Sequence, residues 1–205
     1  MGCSGSKSGV TEAHKKDNVS SFKNADELVD FNTFFPKGTN SALSRNLTQE
    51  IWEEYKDQKD ACGVTFKTCI FSGIKNLDSG IGLYAGSEDS YTKFSKLFDK
   101  VVEEYHKHMP KDSHVSDMDA SKLVNCEFSE ADAAMVVSTR IRVGRNCKNY
   151  PLGPGITKDQ RLEIMNKVVE ACGTFEGDLK GTFYPLEGMS KETSDKLIEG
   201  HYLFK

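Results

Sequence analysis

Apolar side chains recur at steps of three and four residues in two stretches of the first half of the sequence. The first series is Leu47, Ile51 and Tyr55, and the second consists of Phe94, Leu97, Phe98, Val101, Val102 and Tyr105. Such spacing places the side chains on one stripe of an α-helix, and an apolar stripe must be buried against neighbouring elements. The sequence therefore predicts a small helical domain at residues 41–112.

A different pattern begins after a polar linker at residues 113–125. Residues 134–143 are mostly β-branched and small, and the run GTFYPL from Gly181 is similar, so we predict two strands. Thr157 with Gln160 predicts a capping box, and Ser190 predicts a second helix cap. We therefore expect an α+β fold in which residues 126–205 form the start of an antiparallel-sheet α/β catalytic domain. That domain is expected to be truncated, because so few strands do not make a sheet of usual size.

The first 40 residues are rich in Ser, Lys, Asn and Asp, which predicts a flexible extension. Its start, MGCSGSKS, fits the myristoylation pattern M-G-x-x-x-S, with Gly2 as the acceptor and the adjacent Cys3 as a palmitoylation candidate. Two acyl chains together would anchor the chain stably to a membrane. The alternative is an ordinary disordered terminus. No apolar run approaches the roughly 20 residues of a membrane helix.

Charge and cysteine content exclude several classes of protein. The chain has 31 acidic against 27 basic residues, whereas general nucleic-acid binding requires a basic face. Its six cysteines form no C-x-x-C pair and have no histidines at metal-ligand spacing, which predicts free thiols in a reducing cytoplasm. We therefore expect no nucleic-acid partner and no metal bound directly by the protein.

The run VVSTRIRVGRN carries a candidate phosphate site. In a strand, alternate side chains share a face, so Ser138, Arg140 and Arg142 project together. Two guanidinium groups on one face can hold the oxygens of a polyphosphate bidentately, and neither loses its charge at working pH. The alternative is a half-buried strand whose arginines are only solvated.

The run SGIKNLDSGIGLYAG carries a candidate site for a carboxylate or phosphate. Gly80 and Gly82 permit backbone conformations in which successive N–H groups point into one concavity. The Tyr84 hydroxyl would add a hydrogen bond, and Asp78 would accept one from a cation or fix the loop. Without other information, a plain connection between helices explains the same glycines.

Several blocks together resemble the phosphagen kinases, which are ATP:guanidino phosphotransferases. The resemblance covers residues 44–205 and implies reversible transfer of the ATP γ-phosphoryl group to a guanidino substrate, with Mg²⁺ carried on the nucleotide phosphates. The short NLDSGIGLYA loop and Tyr105 are most similar to the arginine-kinase form, which implies arginine as substrate. These blocks are LTQEIWEEYKD, CIFSGIKNLDSGIGLYAG, SYTKFSKLFDKVVEEYH, VVSTRIRVGRN, YPLGPGIT, GTFYPLEGMSKET and LIEGHYLF.

The resemblance also assigns roles to individual residues. The arginine site is implied to consist of Gly80, Ile81, Gly82, Leu83 and Tyr84, which would hold the substrate α-carboxylate through backbone amides and the Tyr84 hydroxyl. Asp78 is implied to stabilise loop closure, and Arg140 and Arg142 to stabilise phosphate charge during transfer. For His201 a packed core histidine remains the alternative to a nucleotide contact. The implied ATP contacts are Ser138, Thr139, Arg140, Ile141, Arg142 and His201.

Complete members of the family use further residues in a second half, to which nothing in this sequence corresponds. We therefore expect negligible kinase activity from these 205 residues alone. One hypothesis is a lipid-tethered, cytoplasmic arginine kinase that buffers ATP, for example in a cilium or flagellum. The other is a non-catalytic product that binds ATP or tethers a partner kinase. Taurocyamine or creatine is the alternative guanidino substrate, and the sequence indicates no oligomeric state.

Overall fold

The computed structural model describes residues 19–123, 128–139, 141 and 143–203. The chain divides into two compact units, of which the first ends at Ile156 and the second begins at Thr157. The described helices are α1 (Ala42–Asn46), α2 (Gln49–Tyr55), α3 (Phe66–Lys75), α4 (Ser90–Lys93), α5 (Ser95–His106), α6 (Glu130–Met135), α7 (Lys158–Gly173) and α8 (Lys191–Glu199). Short 3₁₀ turns occur at Ala25–Glu27, Phe31–Thr33, Ala120–Lys122 and Gly177–Leu179.

Hydroxyl side chains begin the first three helices of the first unit. The Ser41 hydroxyl accepts a hydrogen bond from the Ser44 amide, and the Ser44 hydroxyl accepts one from the Ser41 amide, which makes a reciprocal capping box at α1. At α2 and α3 the cap is one-way: Thr48 accepts the Ile51 amide, and Thr65 accepts the Thr68 amide. These caps satisfy amides that have no partner inside a helix, so the sequence determines locally where each helix starts.

Aromatic rings form the centre of the core of the first unit. Phe34 and Trp52 meet edge to face with ring centroids 4.8 Å apart, and Phe66 packs against Phe94 at 5.1 Å and against Tyr55 at 5.4 Å. The predicted apolar stripes are confirmed, except that Val102 is only partly buried and Tyr105 is 60% exposed. The buried members of the two stripes are Leu47, Ile51, Tyr55, Phe94, Leu97, Phe98 and Val101.

The segment before α1 is part of this core. Leu28 and Phe34 are completely buried, and Phe22, Phe31 and Phe35 pack around them. The Lys75 ammonium donates to the carbonyl oxygens of residues 20 and 22 at 2.8 and 2.6 Å. The expectation of a flexible extension is therefore wrong from residue 19 to residue 40. These five apolar side chains hold the segment because they pack into one cluster with the core of the first unit, where Phe34 contacts Trp52.

Neither predicted strand occurs among the described residues. The first, at 134–143, begins as the end of α6, and its described residues from Val136 onward make no ladder. Val137, Ile141 and Val143 are almost fully exposed, so the apolar side chains of this run have no described partner. GTFYPL is also irregular. The physical reason is that a strand needs a neighbour to satisfy its backbone groups, and no described segment offers an edge to either run.

The second unit has the helix starts that the sequence predicts. Thr157 and Gln160 exchange hydrogen bonds of 2.9 and 3.2 Å at the start of α7, and Ser190 accepts the Thr193 amide at the start of α8. Leu162 and Val168, on the apolar stripe of α7, remain nearly half exposed. None of the described helices combines the length and the apolar character that crossing a membrane requires.

Candidate functional site

The candidate substrate loop, residues 78–84, connects α3 to the segment before α4 and is held from both sides. The carbonyl oxygens of Gly80 and Ile81 accept the first amides of α1, from Ala42 and Leu43, each at 2.9 Å. At its far end the Tyr84 amide donates to the Cys69 carbonyl of α3, also at 2.9 Å. The loop therefore lies across the start of α1 and against the side of α3, and each end of the run 80–84 has its own anchor.

Two glycines allow the loop backbone to touch the α3 backbone. Gly82 has a φ of +79°, which favours glycine, and it lies directly over Gly73 of α3. A Cβ atom at residue 73 would lie 2.5 Å from the Gly82 Cα and closer still to the Gly82 carbonyl oxygen. Of the two loop glycines proposed from sequence, only Gly82 needs its conformational freedom, whereas Gly80 has open space around it.

The hydrogen bonds of the loop determine which of its amides are available to a ligand. Among the described residues, the N–H groups of Gly80, Ile81, Gly82 and Leu83 donate to no protein acceptor, whereas the Tyr84 amide is already used. The Tyr84 side chain is half exposed, and Asp78 is exposed on the turn with which the loop begins. Consecutive free amides beside a phenol are suited to bind a carboxylate or phosphate oxygen.

A cavity of about 350 Å³ opens beside the loop within the first unit. Most of its lining residues are apolar, and Tyr84, Tyr91 and Tyr105, each about half exposed, also line it. Among the described residues that line the cavity, His106 alone carries an ionisable nitrogen, and none carries a carboxylate. The complete lining is Ile81, Leu83, Tyr84, Ala85, Tyr91, Phe98, Val101, Val102, Tyr105, His106, Asn146, Leu152, Gly153 and Pro154.

A buried carboxylate organises the segment that follows the loop. One Asp60 oxygen accepts the Cys62 and Val64 amides at 3.0 and 2.9 Å. The other accepts the Ser87 and Ser90 hydroxyls at 2.8 and 2.6 Å. We call Asp60, Val64, Ser87 and Ser90 the Asp60 network. Burial by itself would raise the pKa of Asp60, but the four hydrogen bonds outweigh it and lower the pKa below its usual value.

Acid is expected to weaken the first unit through Asp60. A carboxyl group whose pKa is lower in the folded state stabilises the fold above its unfolded pKa, about 3.9, and loses that contribution as pH falls through the lower folded value. We expect the difference in unfolding free energy between the natural protein and Asp60→Asn to be constant above pH 5 and to shrink below pH 4. Urea unfolding followed by the fluorescence of Trp52 measures it, and a difference that grows in acid would contradict the assignment.

Burial also makes the Cys69 thiol unreactive. Removal from water raises its pKa to about 11, so it remains a neutral thiol at physiological pH. The four described cysteines are free, which agrees with the predicted thiols for Cys62, Cys69, Cys147 and Cys172.

The residues predicted to contact ATP are only partly described. Ser138, Thr139 and Ile141 are exposed in an irregular segment of the first unit. His201 is exposed in the second unit, on a turn after α8 with a φ of +61°, so the alternative of a packed core histidine is wrong. Four predicted site residues lie outside the described residues: Arg140, Arg142, Gly2 and Cys3.

Sequence reasoning missed most of the cavity wall and the Asp60 network. Tyr91 and Asn146 belong to no recognisable spacing pattern, and Asp60 is one acidic residue in a polar turn. The available signal was the block YPLGPGIT, whose Leu152, Gly153 and Pro154 close one side of the cavity. We singled out that block only because it resembles a block of the phosphagen kinases. Its own residues do not indicate which part of the chain a Gly-Pro turn packs against.

Comparison with known proteins identifies relatives across most of the chain. Residues 37–103 match the family model described as ATP:guanido phosphotransferase, N-terminal domain. An arginine kinase from Anthopleura japonica is 46% identical over 166 residues, which are 80% of this chain and 23% of that protein. The arginine kinase Lit v 2 from Penaeus vannamei is 42% identical over 168 residues, covering 80% of this chain and 46% of that protein.

Solved structures give the same result for the fold. The crystal structure of lombricine kinase superposes with a TM-score of 0.72 at 33% identity, covering 90% of this chain and 50% of that one. The duplicated taurocyamine kinase from Schistosoma mansoni, with bound transition state analog components, gives a TM-score of 0.67 at 31% identity, covering 84% of this chain and 24% of that one. The chain thus spans half or less of the length of each of these relatives.

Proposed function

Because this chain belongs to the ATP:guanido phosphotransferase family, whose N-terminal domain it carries at residues 37–103, we propose that it provides the guanidino-substrate side of a phosphagen kinase. The reaction is the reversible transfer of the γ-phosphoryl group of ATP to a guanidino nitrogen, which buffers ATP. The proposed substrate is arginine, in keeping with the names of the two arginine-kinase relatives.

The observation that carries this proposal is the set of free amides in the loop. Among the described residues, the N–H groups of Gly80–Leu83 donate to no protein acceptor, so they remain available to a ligand. An α-carboxylate held there, with the Tyr84 hydroxyl as a further donor, would fix one end of arginine and leave its guanidinium free to react. Holding a substrate in a reactive position supplies a large part of the rate in reactions of this kind.

The nucleotide side of the site is proposed on the resemblance of residues 138–142 and 201. Arg140 and Arg142 would compensate negative charge on the transferred phosphoryl group, and Ser138, Thr139 and Ile141 would line the phosphates, with His201 a further nucleotide contact. Phosphoryl transfer needs little covalent participation from a protein, because alignment and charge stabilisation account for most of the catalysis. Mg²⁺ would be carried by the ATP phosphates and would neutralise part of their charge.

We further propose that residues 126–205 belong to an α/β catalytic domain whose antiparallel sheet forms when the runs at 134–143 and from Gly181 pair with further strands. A cytoplasmic enzyme tethered to a membrane through acyl groups on Gly2 and Cys3 remains part of the proposal. The exposed apolar side chains Val137, Ile141 and Val143 support the sheet, since strand pairing would bury them.

Calorimetric titration with L-arginine tests the substrate site directly. We expect the chain to bind arginine and Tyr84→Phe to bind it about tenfold more weakly, because a hydrogen bond to a charged group contributes on the order of 1.5 kcal/mol. Tyr202→Phe is the matched control, because Tyr202 is 82% exposed and belongs to the second unit. Its affinity should equal that of the natural chain.

Agmatine, which is arginine without the carboxylate, separates carboxylate recognition from guanidinium recognition. We expect agmatine to bind much more weakly than arginine and to be insensitive to Tyr84→Phe. Equal affinities for agmatine and arginine would contradict the proposed role of the free loop amides. Equal affinity of the natural chain and Tyr84→Phe for arginine would contradict the role of the phenol.

A further inference from the structure

The Asp60 network joins the end of the substrate loop to one wall of the cavity. The Ser90 hydroxyl oxygen accepts the amides of Gly86 and Ser87, both at 3.0 Å. The carbonyl oxygen of the same residue, Gly86, accepts the Leu152 amide at 2.8 Å. The backbone at Gly86 is therefore held by Ser90 and in turn holds the segment that contains the cavity wall.

Residues 151–155 dock in a narrow slot between Val64 and Gly86. A Cβ atom at Gly155 would collide with a Val64 methyl group and would lie 2.8 Å from the Gly86 carbonyl oxygen. A Cβ atom at Gly86 would lie 2.6 Å from the Val64 Cβ. Both sides of the slot are connected to Asp60, which accepts the Val64 amide with one oxygen and the Ser90 hydroxyl with the other.

We propose that Asp60 is a positioning residue that builds this slot and thereby fixes the wall formed by Leu152, Gly153 and Pro154 beside the substrate loop. Asp60 lies 27 and 30 residues before its two serine partners, so it joins segments that no local interaction would bring together. The inference rests on the proposed function only in taking the cavity beside residues 78–84 as part of the substrate site.

Hydrogen-bond capacity explains why a carboxylate is needed at this position. The Ser90 oxygen already accepts two amides, and it has a single proton to donate, which goes to Asp60 at 2.6 Å. An asparagine of the same shape that keeps its oxygen on the Cys62 and Val64 amides would turn an NH₂ group toward Ser90. That group would meet a hydroxyl whose acceptor capacity is filled, and the Ser87 and Ser90 hydroxyl protons would both lose the oxygen that accepts them in the natural protein.

Hydrogen exchange of individual amides in Asp60→Asn tests the proposal. We expect the amides of Gly86 and Leu152 to exchange about tenfold faster, because the buried hydrogen bond from the Ser90 hydroxyl to residue 60 is lost. The Ala42 amide, bonded to the loop on its other side, should keep its rate. Asp57→Asn is the matched control, because Asp57 is exposed in the same polar turn and should change none of these rates.

A second pair of variants tests the slot without touching the carboxylate. Gly155→Ala should accelerate exchange at Leu152 while leaving the Gly86 amide protected, because that amide is bonded to Ser90. Gly153→Ala, which has no heavy atom within 4 Å of the added carbon, should leave both amides unchanged. Unchanged exchange at Leu152 in Gly155→Ala would overturn the slot.

A double-mutant cycle distinguishes positioning through Ser90 from general weakening. If Asp60 acts through Ser90, Asp60→Asn should add little to the faster exchange at Leu152 already caused by Ser90→Ala. Fully additive effects, or equal acceleration at Ala42, would overturn the proposal. Should Asp60→Asn not fold, unchanged exchange at Leu152 in Ser90→Ala alone would overturn it.

None of these exchange rates requires a ligand, so a failure of arginine to bind would contradict the proposed function and leave this inference standing.

Discussion

Replacing Gly73 by alanine is expected to destabilise the first unit by about 2 to 3 kcal/mol, although alanine is normally the better helix residue. In an exposed helix interior the exchange would stabilise by about 1 kcal/mol. Here the added methyl would lie 2.5 Å from the Gly82 Cα and 2.7 Å from the Gly82 carbonyl carbon. The loop backbone cannot retreat without breaking its bonds to Ala42 and Leu43, so overpacking outweighs helix propensity.

Urea unfolding followed by Trp52 fluorescence gives the change in stability, and hydrogen exchange at the Tyr84 amide reports whether the loop is still seated. Gly80→Ala is the matched control within the same loop, because no heavy atom lies within 4 Å of its added carbon. Its stability should remain within about 0.5 kcal/mol of the natural chain. A Gly73→Ala chain that is more stable than the natural one would show that the two backbones do not meet.

Replacing Phe34 by alanine is expected to cost about 3 to 5 kcal/mol and to release residues 19–40 from the core. The Phe34 ring is completely buried and makes edge contacts with four aromatic neighbours. Alanine removes the ring through which residues 19–40 contact Trp52, so the segment loses its central contact with the core. The neighbours and their centroid distances are Trp52 at 4.8 Å, Phe31 at 5.7 Å, Phe22 at 6.2 Å and Phe35 at 6.3 Å.

Two measurements separate loss of the segment from loss of the whole unit. Limited proteolysis should cut Phe34→Ala at Lys23 and Lys37 well before it cuts the helices, and the Trp52 emission should shift to longer wavelength as the ring meets water. Val29→Ala, at a side chain that is 73% exposed, should behave like the natural chain. Equal protection of Lys23 in Phe34→Ala and the natural chain would refute the claim that this segment is anchored by Phe34.

Prediction from sequence succeeded where the interactions are local. The helix caps at Thr157 and Ser190 were predictable because a hydroxyl and the amide it accepts are three residues apart. The stripe that contains Phe94 and Phe98 was predictable because the helix repeat itself places those side chains together. Prediction from sequence failed for residues 19–40, because the sparse apolar side chains of this segment gave no indication that they would pack against Trp52 and the core around it.

The candidate site shows the same limit. The glycines and the tyrosine of the loop marked it as a place where a ligand could approach, and Gly82 does adopt the backbone that only glycine tolerates easily. Gly73 resembles any helix glycine until the loop nine residues later is placed against it. Asp60 is likewise an ordinary polar residue until Ser87 and Ser90 deliver their hydroxyl groups to it.

By itself the sequence determined the two apolar stripes of the first unit, the helix caps at Thr157 and Ser190, the free thiols of the described cysteines and the resemblance to the ATP:guanido phosphotransferases. Each of these depends on short-range patterns or on runs of matching residues. Only the tertiary structure decided which loop amides stay free for a ligand. The Cys69 carbonyl of α3 uses the Tyr84 amide, whereas α1 holds Gly80 and Ile81 through their carbonyl oxygens, which leaves the amides of residues 80–83 without a described protein acceptor. Those partners lie 15 or more residues away along the chain, and folding alone brings them within 2.9 Å.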